Sequence, residues 1–342
     1  MTERLRKHDR QKIVFYDIWK NFPSEDLRNG GFRDIITKDL VDSDIALDQV
    51  KDFRWVFDLK PEGISADDLS GVYQWFQELG VPADQFRVAF SCVEEVSSLP
   101  YPAVCLPDRL IYNGNWWMHL DHYHIDWKNL SMTHQLVCLM RRPSISRGTL
   151  AKRLLTKFNL DDVIMTFGTN GTDASEDIKR LIWPRPYPMI VDRPMADQVF
   201  QHRIDHDFFY KAPTNLVVES SSQTDPNVWR SIFITEKTFK ALAWHQFPIW
   251  YAVPGLVDQV RKLGFDVFDD LLEDHSYDSI QDPWVRMTHV VALVRRFCDK
   301  DTVSLRIENW QRLVKNAQLI REIHTTAITK HTEELKRLIY GT

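Results

Sequence analysis

Long apolar runs are missing from this sequence: nowhere do about 18 apolar residues follow one another, so no membrane span is expected. The charged amino end, Met1-Thr2-Glu3-Arg4-Leu5-Arg6-Lys7, lacks an apolar stretch with a cleavage site, which argues against a secretory leader. Cysteine is scarce. The four, Cys92, Cys105, Cys138 and Cys298, show no CxxC spacing and stand among apolar neighbours. They read as buried thiols of a cytoplasmic protein rather than a disulfide or zinc framework. No internal repeat and no low-complexity tract occurs. A strong excess of one charge is also absent, since the net charge is −5. Residues 1–130 hold 15 Lys and Arg against 22 Asp and Glu, a balance of −7; residues 131–342 hold 28 against 26, a balance of +2. Proteins that track a phosphate backbone usually carry a basic face, and total charge lends that function no support.

What is present is ordinary for a globular protein: 44% hydrophobic, 12% aromatic and 27% charged residues. Apolar residues are spread over the whole length, and 342 residues favour two domains over one. Short apolar runs alternate with amphipathic stretches, the pattern of α/β layers. Buried strands are predicted at residues 13–19, 55–59, 86–92 and 103–106, with a helix over 67–79 that stops at Gly80. Residues 113–127 read as a loop with paired tryptophans and three histidines. A second α/β cycle opens near Leu136, with strands at 136–140, 163–167, 216–219 and 247–251. Its helices are predicted at 149–158, 235–245, 256–263 and 285–297, and 309–340 reads as long C-terminal helix. Residues 141–147 read as a polar loop, and 183–194 as an irregular Pro-rich stretch. The expected organisation is an α/β domain over 1–130, a second over 131–300, and a helical segment over 301–342.

Three constellations could carry chemistry. In Phe233-Ile234-Thr235-Glu236-Lys237-Thr238-Phe239-Lys240 an apolar turn enters a helix whose first turn holds a carboxylate and a lysine. A helix amino end offers unpaired N–H groups and a positive dipole end, which suit a diphosphate. A carboxylate there can accept both hydroxyls of a ribose. An ordinary helix start explains the same pattern, because acidic residues are favoured in the first turn. In Arg141-Arg142-Pro143-Ser144-Ile145-Ser146-Arg147 a loop follows a strand, where α/β sheets bind ligands. Arginine at that position can fork onto phosphate oxygens, or simply be a solvated basic residue. The third is Trp116-Trp117-Met118-His119-Leu120-Asp121-His122-Tyr123-His124. His119, Asp121 or His122 could take a proton from an acceptor hydroxyl. The same histidines could hold a metal, or belong to an aromatic cluster. Trp116 and Trp117 could stack on a sugar or base, or be core. The acidic pairs Asp161-Asp162, Asp269-Asp270 and Glu273-Asp274 read as helix-start or solvated residues rather than a DxD-type manganese site.

The Thr235-Glu236-Lys237 helix start and the Phe247-Pro248-Ile249 strand resemble the donor-site segment of the α1,3-fucosyltransferases. The chain looks closer still to a group of bacteriophage glycosyltransferases, through three segments in order. These are the strand, Arg-rich loop and Arg-led helix over 136–155, the Thr-Glu-Lys helix, and Gly264-Phe265-Asp266-Val267-Phe268 followed by Ser276-Tyr277-Asp278. The resemblance covers residues 135–297. It departs from that group where Ser146 stands in place of a frequent histidine, and where Arg141-Arg142 replace an Asn-Arg-like pair.

The resemblance implies a GT-B architecture, two Rossmann-like domains facing a cleft, with a nucleotide-diphosphate sugar held by the second as co-substrate. It implies that Arg147, or Arg142 beside it, binds the donor diphosphate, that Glu236 holds the ribose and that Lys237 meets a phosphate. Thr235 and Lys240 join that donor-binding set. Tyr277 and Asp278 are expected either to line the cleft or to serve packing and capping. No metal and no other cofactor is expected, the cations and the helix dipole stabilising the leaving diphosphate. The phage likeness points to a 5-hydroxymethylpyrimidine in DNA as acceptor; a glycan or lipid-linked acceptor stands beside it. A non-catalytic nucleotide-binding protein, or a metal-dependent hydrolase centred on the histidines, would be a different class.

Overall fold

The structure, a computed structural model, describes residues 5–8, 12–17, 30–59, 64–93, 95–107, 131–140, 143–168, 175–182, 207–219 and 232–341. The chain forms two compact units. The first comprises residues 1–112, 225–233 and 325–342, the second residues 113–224 and 234–324. The α/β class and the long C-terminal helix expected from the sequence are both present.

Among the described residues the sheet of the first unit comprises β1 (Leu5–His8), β2 (Ile13–Asp17), β3 (Arg54–Asp58), β4 (Phe86–Phe90) and β5 (Ala103–Cys105), in that spatial order. β1 runs antiparallel to β2, and the other neighbours are parallel. Among the described residues α1 (Phe32–Asp42) and α2 (Ala66–Glu78) accompany it. α2 begins at a capping box: the Ser65 hydroxyl accepts from the Asp68 N–H, and the Asp68 carboxylate accepts from the Ser65 N–H. It ends as the sequence predicts, at Gly80 with φ +82°. There the Gly80 N–H reaches the Gln77 carbonyl and the Val81 N–H the Phe76 carbonyl, the two bonds of a left-handed C-terminal cap. Trp55 and Phe57, two residues apart on β3, share one face of the sheet and meet Phe76 of α2 edge-on at 4.9 and 5.3 Å. That aromatic cluster is the centre of the first core.

Among the described residues the sheet of the second unit comprises β6 (Leu136–Met140), β7 (Val163–Phe167), β8 (Thr214–Val218) and β9 (Phe247–Tyr251), all parallel, in the order β7-β6-β8-β9. Every residue of β7, β8 and β9 is buried, as expected of a parallel sheet covered on both faces. Pro248 cannot donate to a ladder, and β9 is the terminal strand in this order. The helices are α3 (Ile145–Leu155), α4 (Glu176–Leu181), α5 (Asp207–Tyr210), α6 (Glu236–Ala243), α7 (Leu256–Lys262), α8 (Pro283–Cys298), α9 (Thr302–Glu308) and α10 (Trp310–Tyr340). Residues of α10 up to His324 belong to the second unit, and those from Thr325 onward to the first. Among the described residues no helix is long and apolar enough to cross a membrane.

α3 begins earlier than the predicted 149–158, and the polar loop is correspondingly shorter. The Ser144 hydroxyl accepts the Arg147 N–H at 3.3 Å, a side-chain cap that starts the helix at Ile145. Arg147 is therefore a first-turn helix residue, not the end of a loop.

Candidate functional site

The strand order of the second sheet decides where a ligand can sit. From β6 the chain goes to β7 on one side and later returns to β8 on the other, so the order reverses between β6 and β8. In open parallel sheets such a reversal parts the two outgoing connections and leaves a crevice at the carboxyl ends of the strands. α3 follows β6, and Glu219 follows β8 directly. Arg147, on the first turn of α3, is buried, and its Nη2 donates to the Glu219 carbonyl at 3.3 Å.

Glu219 ties this point to α6. Its carboxylate, fully buried, accepts the Thr235 N–H at 3.1 Å, the Thr235 hydroxyl, and the Thr238 hydroxyl at 2.6 Å. Thr235 is the amino-terminal cap of α6, its hydroxyl accepting the Lys237 N–H at 3.3 Å. The Lys237 ammonium donates to the same hydroxyl at 3.1 Å, and lies 3.8 Å from Glu219 Oε2 and 4.0 Å from Glu236 Oε1. The Glu236 and Lys237 side chains keep partial exposure, 37% and 29%, where the rest of this cluster is buried. Lys240 lies in the last turn of α6 and is buried. The Trp250 indole N–H of β9 donates to the Thr238 hydroxyl at 3.1 Å, joining α6 to the neighbouring strand.

Tyr277 and Asp278 have structural partners. Tyr277 is buried; its hydroxyl accepts the Trp250 backbone N–H at 3.1 Å and lies 3.1 Å from His275 Nδ1, and burial pushes its ionisation well above the usual range. His275 Nε2 lies 2.7 Å from the Val267 carbonyl, and burial lowers the His275 pKa. The Asp278 carboxylate accepts the N–H groups of Val257 and Asp258 at 3.1 and 3.4 Å, capping α7. Burial raises its pKa, and those two backbone donors oppose the shift. Packing and capping, one of the two readings open from sequence, are thus seen directly.

Of the sequence-predicted residues, Arg147, Thr235, Glu236 and Lys237 are brought together around Glu219. Arg142, Trp116, Trp117, His119, Asp121 and His122 lie outside the described residues. Among the described residues no group of three His, Cys, Asp or Glu side chains is arranged to hold a metal ion. Glu219 itself is the residue that sequence reasoning passes over. Its signal is slight: a lone carboxylate closing the apolar run Leu216-Val217-Val218, at the carboxyl end of a buried strand.

Chemically, the arrangement is a polar cluster of two cations, Arg147 and Lys237, and two carboxylates, Glu219 and Glu236. A guanidinium, an ammonium and the amino end of α6 gather at one sheet edge, a combination that suits an anion carrying more than one charge. No family model, no curated protein and no solved structure matches this chain.

Proposed function

We propose that the second unit binds the diphosphate of a nucleotide sugar and that the protein is a metal-independent glycosyltransferase of the GT-B kind. One observation carries the reading: Arg147 and Lys237, arriving on different helices, both join Glu219 at the strand-order reversal. In this reading Arg147 and Lys237 hold the diphosphate, and Glu236 accepts the ribose hydroxyls. Thr235 shapes the helix start, and Lys240 and Arg142 add to the local positive potential. The acceptor oxygen attacks the anomeric carbon as the bond to the diphosphate breaks. The leaving diphosphate takes up charge that the two cations and the α6 amino end stabilise. A base on the acceptor side, assigned to His119, Asp121 or His122, receives the hydroxyl proton. Trp116 and Trp117 would stack on the acceptor.

The acceptor proposed is a 5-hydroxymethylpyrimidine in DNA, modified in the cytoplasm, of the host where the gene is viral. Such a base must leave its stack to be reached, and aromatic side chains help hold it. The proposal is tested in two stages. Thermal shift with inorganic pyrophosphate and the common nucleoside diphosphates should show stabilisation by at least one, lost in Arg147→Ala and in Lys237→Ala. No response to any of them would remove the donor site. Incubation with nucleotide sugars and hydroxymethylated DNA, followed by nucleoside mass analysis, should then show a hexose or pentose adduct. Nucleotide binding without transfer to DNA, glycan or lipid acceptors would leave a binding protein on this scaffold.

A further inference from the structure

We infer that Glu219 is the positioning residue of the diphosphate site, holding Lys237 and Arg147 in register without itself touching the ligand. The inference rests on the donor-site reading above and adds a residue to it. The carboxylate is fully buried and accepts from three protein donors, the Thr235 N–H, the Thr235 hydroxyl and the Thr238 hydroxyl, with the Lys237 ammonium 3.8 Å away. An ionised carboxylate only accepts hydrogen bonds. Both threonine hydroxyls must therefore point their hydrogens inward, which turns their lone pairs outward. Thr235 then accepts from the Lys237 N–H and ammonium, and Thr238 from the Trp250 indole. One carboxylate thus sets the direction of both threonine hydroxyls at the α6 start. The same residue's carbonyl accepts Arg147 Nη2. Side chain and main chain of Glu219 together span the two cations.

A glutamine at this position has the same shape but presents an N–H₂ on one side. It can invert one hydroxyl and set a donor against the Lys237 ammonium, so Lys237 loses its fixed place. Charge alone argues the opposite way: deleting a negative group beside Lys237 should strengthen anion binding. The sign of the effect separates the two.

The test is calorimetric titration of inorganic pyrophosphate into the full-length protein, with folding checked by circular dichroism at the same temperature. Glu219→Gln should bind on the order of tenfold more weakly than the native protein. Glu219→Gln/Lys237→Ala should be no weaker than Lys237→Ala alone, because the Glu219 side chain acts through Lys237, while the carbonyl that meets Arg147 is kept in the variant. Thr238→Val keeps the shape and removes one inward hydroxyl, and should bind roughly threefold more weakly. It decides the matter should Glu219→Gln fail to fold. Val294→Ala, a core truncation in α8, should lower stability and leave the affinity alone. Equal or tighter binding by Glu219→Gln and Thr238→Val, or additive losses in the double variant, overturns the inference while the donor site stands. A native protein that binds neither pyrophosphate nor any nucleoside diphosphate overturns both.

Discussion

The two sheets are made from the same parts, parallel strands and connecting helices, yet they concentrate polar groups very differently. In the first unit the parallel strands β2 to β5 follow one another in chain order, and among the described residues no reversal opens between neighbours. Its centre is aromatic, with Trp55, Phe57, Phe76 and Phe86 all buried. At the carboxyl ends of β2 and β3, Asp17 pairs in register with Asp58. In the second unit the order reverses between β6 and β8, and there Arg147, Glu219, Thr235 and Thr238 are buried together. The carboxyl ends of β2 and β3 carry two aspartates side by side, whereas those of β6 and β8 bring Arg147 and Lys237 together with Glu219 and Glu236. The difference teaches that the winding order of the strands, more than the composition of either unit, goes with where polar groups are buried together.

The largest effect should come from deleting residues 325–342. In the first unit Arg54 Nη1 donates to the Ile339 carbonyl at 2.7 Å and Arg87 Nη1 to the Leu338 carbonyl, while Ala327 and Leu338 are buried. Losing those apolar groups and leaving Arg87 short of its acceptor should cost about 5 kcal/mol, comparable with the whole stability of a small domain. Hydrogen exchange should show the β2–β5 amides unprotected and the β6–β9 amides unchanged. Equal loss in both sheets would erase the comparison.

Next comes the charge contrast between the two edges. Arg147→Ala and Lys237→Ala should each weaken pyrophosphate binding by roughly 10- to 100-fold, the range expected for charge-assisted hydrogen bonds. Asp58→Asn, in the other unit, should leave that affinity unchanged. Titration calorimetry on the three variants checks it, and a marked effect of Asp58→Asn would show that the edges are not functionally separate.

Acid sensitivity should also divide the units. His245 in the second unit is buried, and desolvation, helped by Arg306 and Arg321, lowers its pKa to about 3. The folded protein therefore holds His245 neutral, while the unfolded chain takes up a proton near the ordinary value of 6.5. The stabilisation is present above pH 6.5 and is lost as pH falls from there toward 3, by about 1.4 kcal/mol per pH unit. Burial of His275 acts in the same direction. Denaturation of the native protein and of His245→Asn between pH 7 and pH 4.5 should show a flatter slope in the variant; asparagine tolerates the φ of +55° found there. Parallel slopes would place the acid-sensitive group elsewhere.

These contrasts are only partly legible in the sequence. The bounds of β6, β7 and β9 agree with the predicted 136–140, 163–167 and 247–251, because each is an unbroken apolar run of strand length. The end of α2 is legible because Gly80 is the residue a left-handed cap requires. β1 and α1 are not anticipated, although Phe32, Ile36 and Leu40, all buried, recur at helical spacing. Ser144 carries the capping signal that moves Arg147 into a helix, and Pro143 beside it favours the loop reading. Sheet order and the return of residues 325–342 to the first unit depend on pairings distant in the chain, which local periodicity does not record. Thr235, Glu236 and Lys237 are legible as a helix start that suits phosphate. Glu219 is not, since only its partners from α3 and α6 distinguish it from any carboxylate at a strand end.

The smallest effect concerns a polar contact of the first unit. The Tyr16 hydroxyl, on a fully buried ring, donates to the Asp39 carboxylate at 2.5 Å. A hydrogen bond to a charged acceptor carries more than a neutral one, but Asp39 is only partly buried and can recover water when the hydroxyl is removed. The ring also stays in place in Tyr16→Phe, so its packing against Phe57 at 5.7 Å survives. The net loss should be about 1 kcal/mol, seen as a lower denaturation midpoint with an unchanged denaturant slope. Pyrophosphate affinity should not move, because this contact serves β2 and α1 and no part of the β6–β8 edge. A loss of affinity in Tyr16→Phe would mean that strain in one sheet is felt at the other, and winding order would then no longer account for the site by itself.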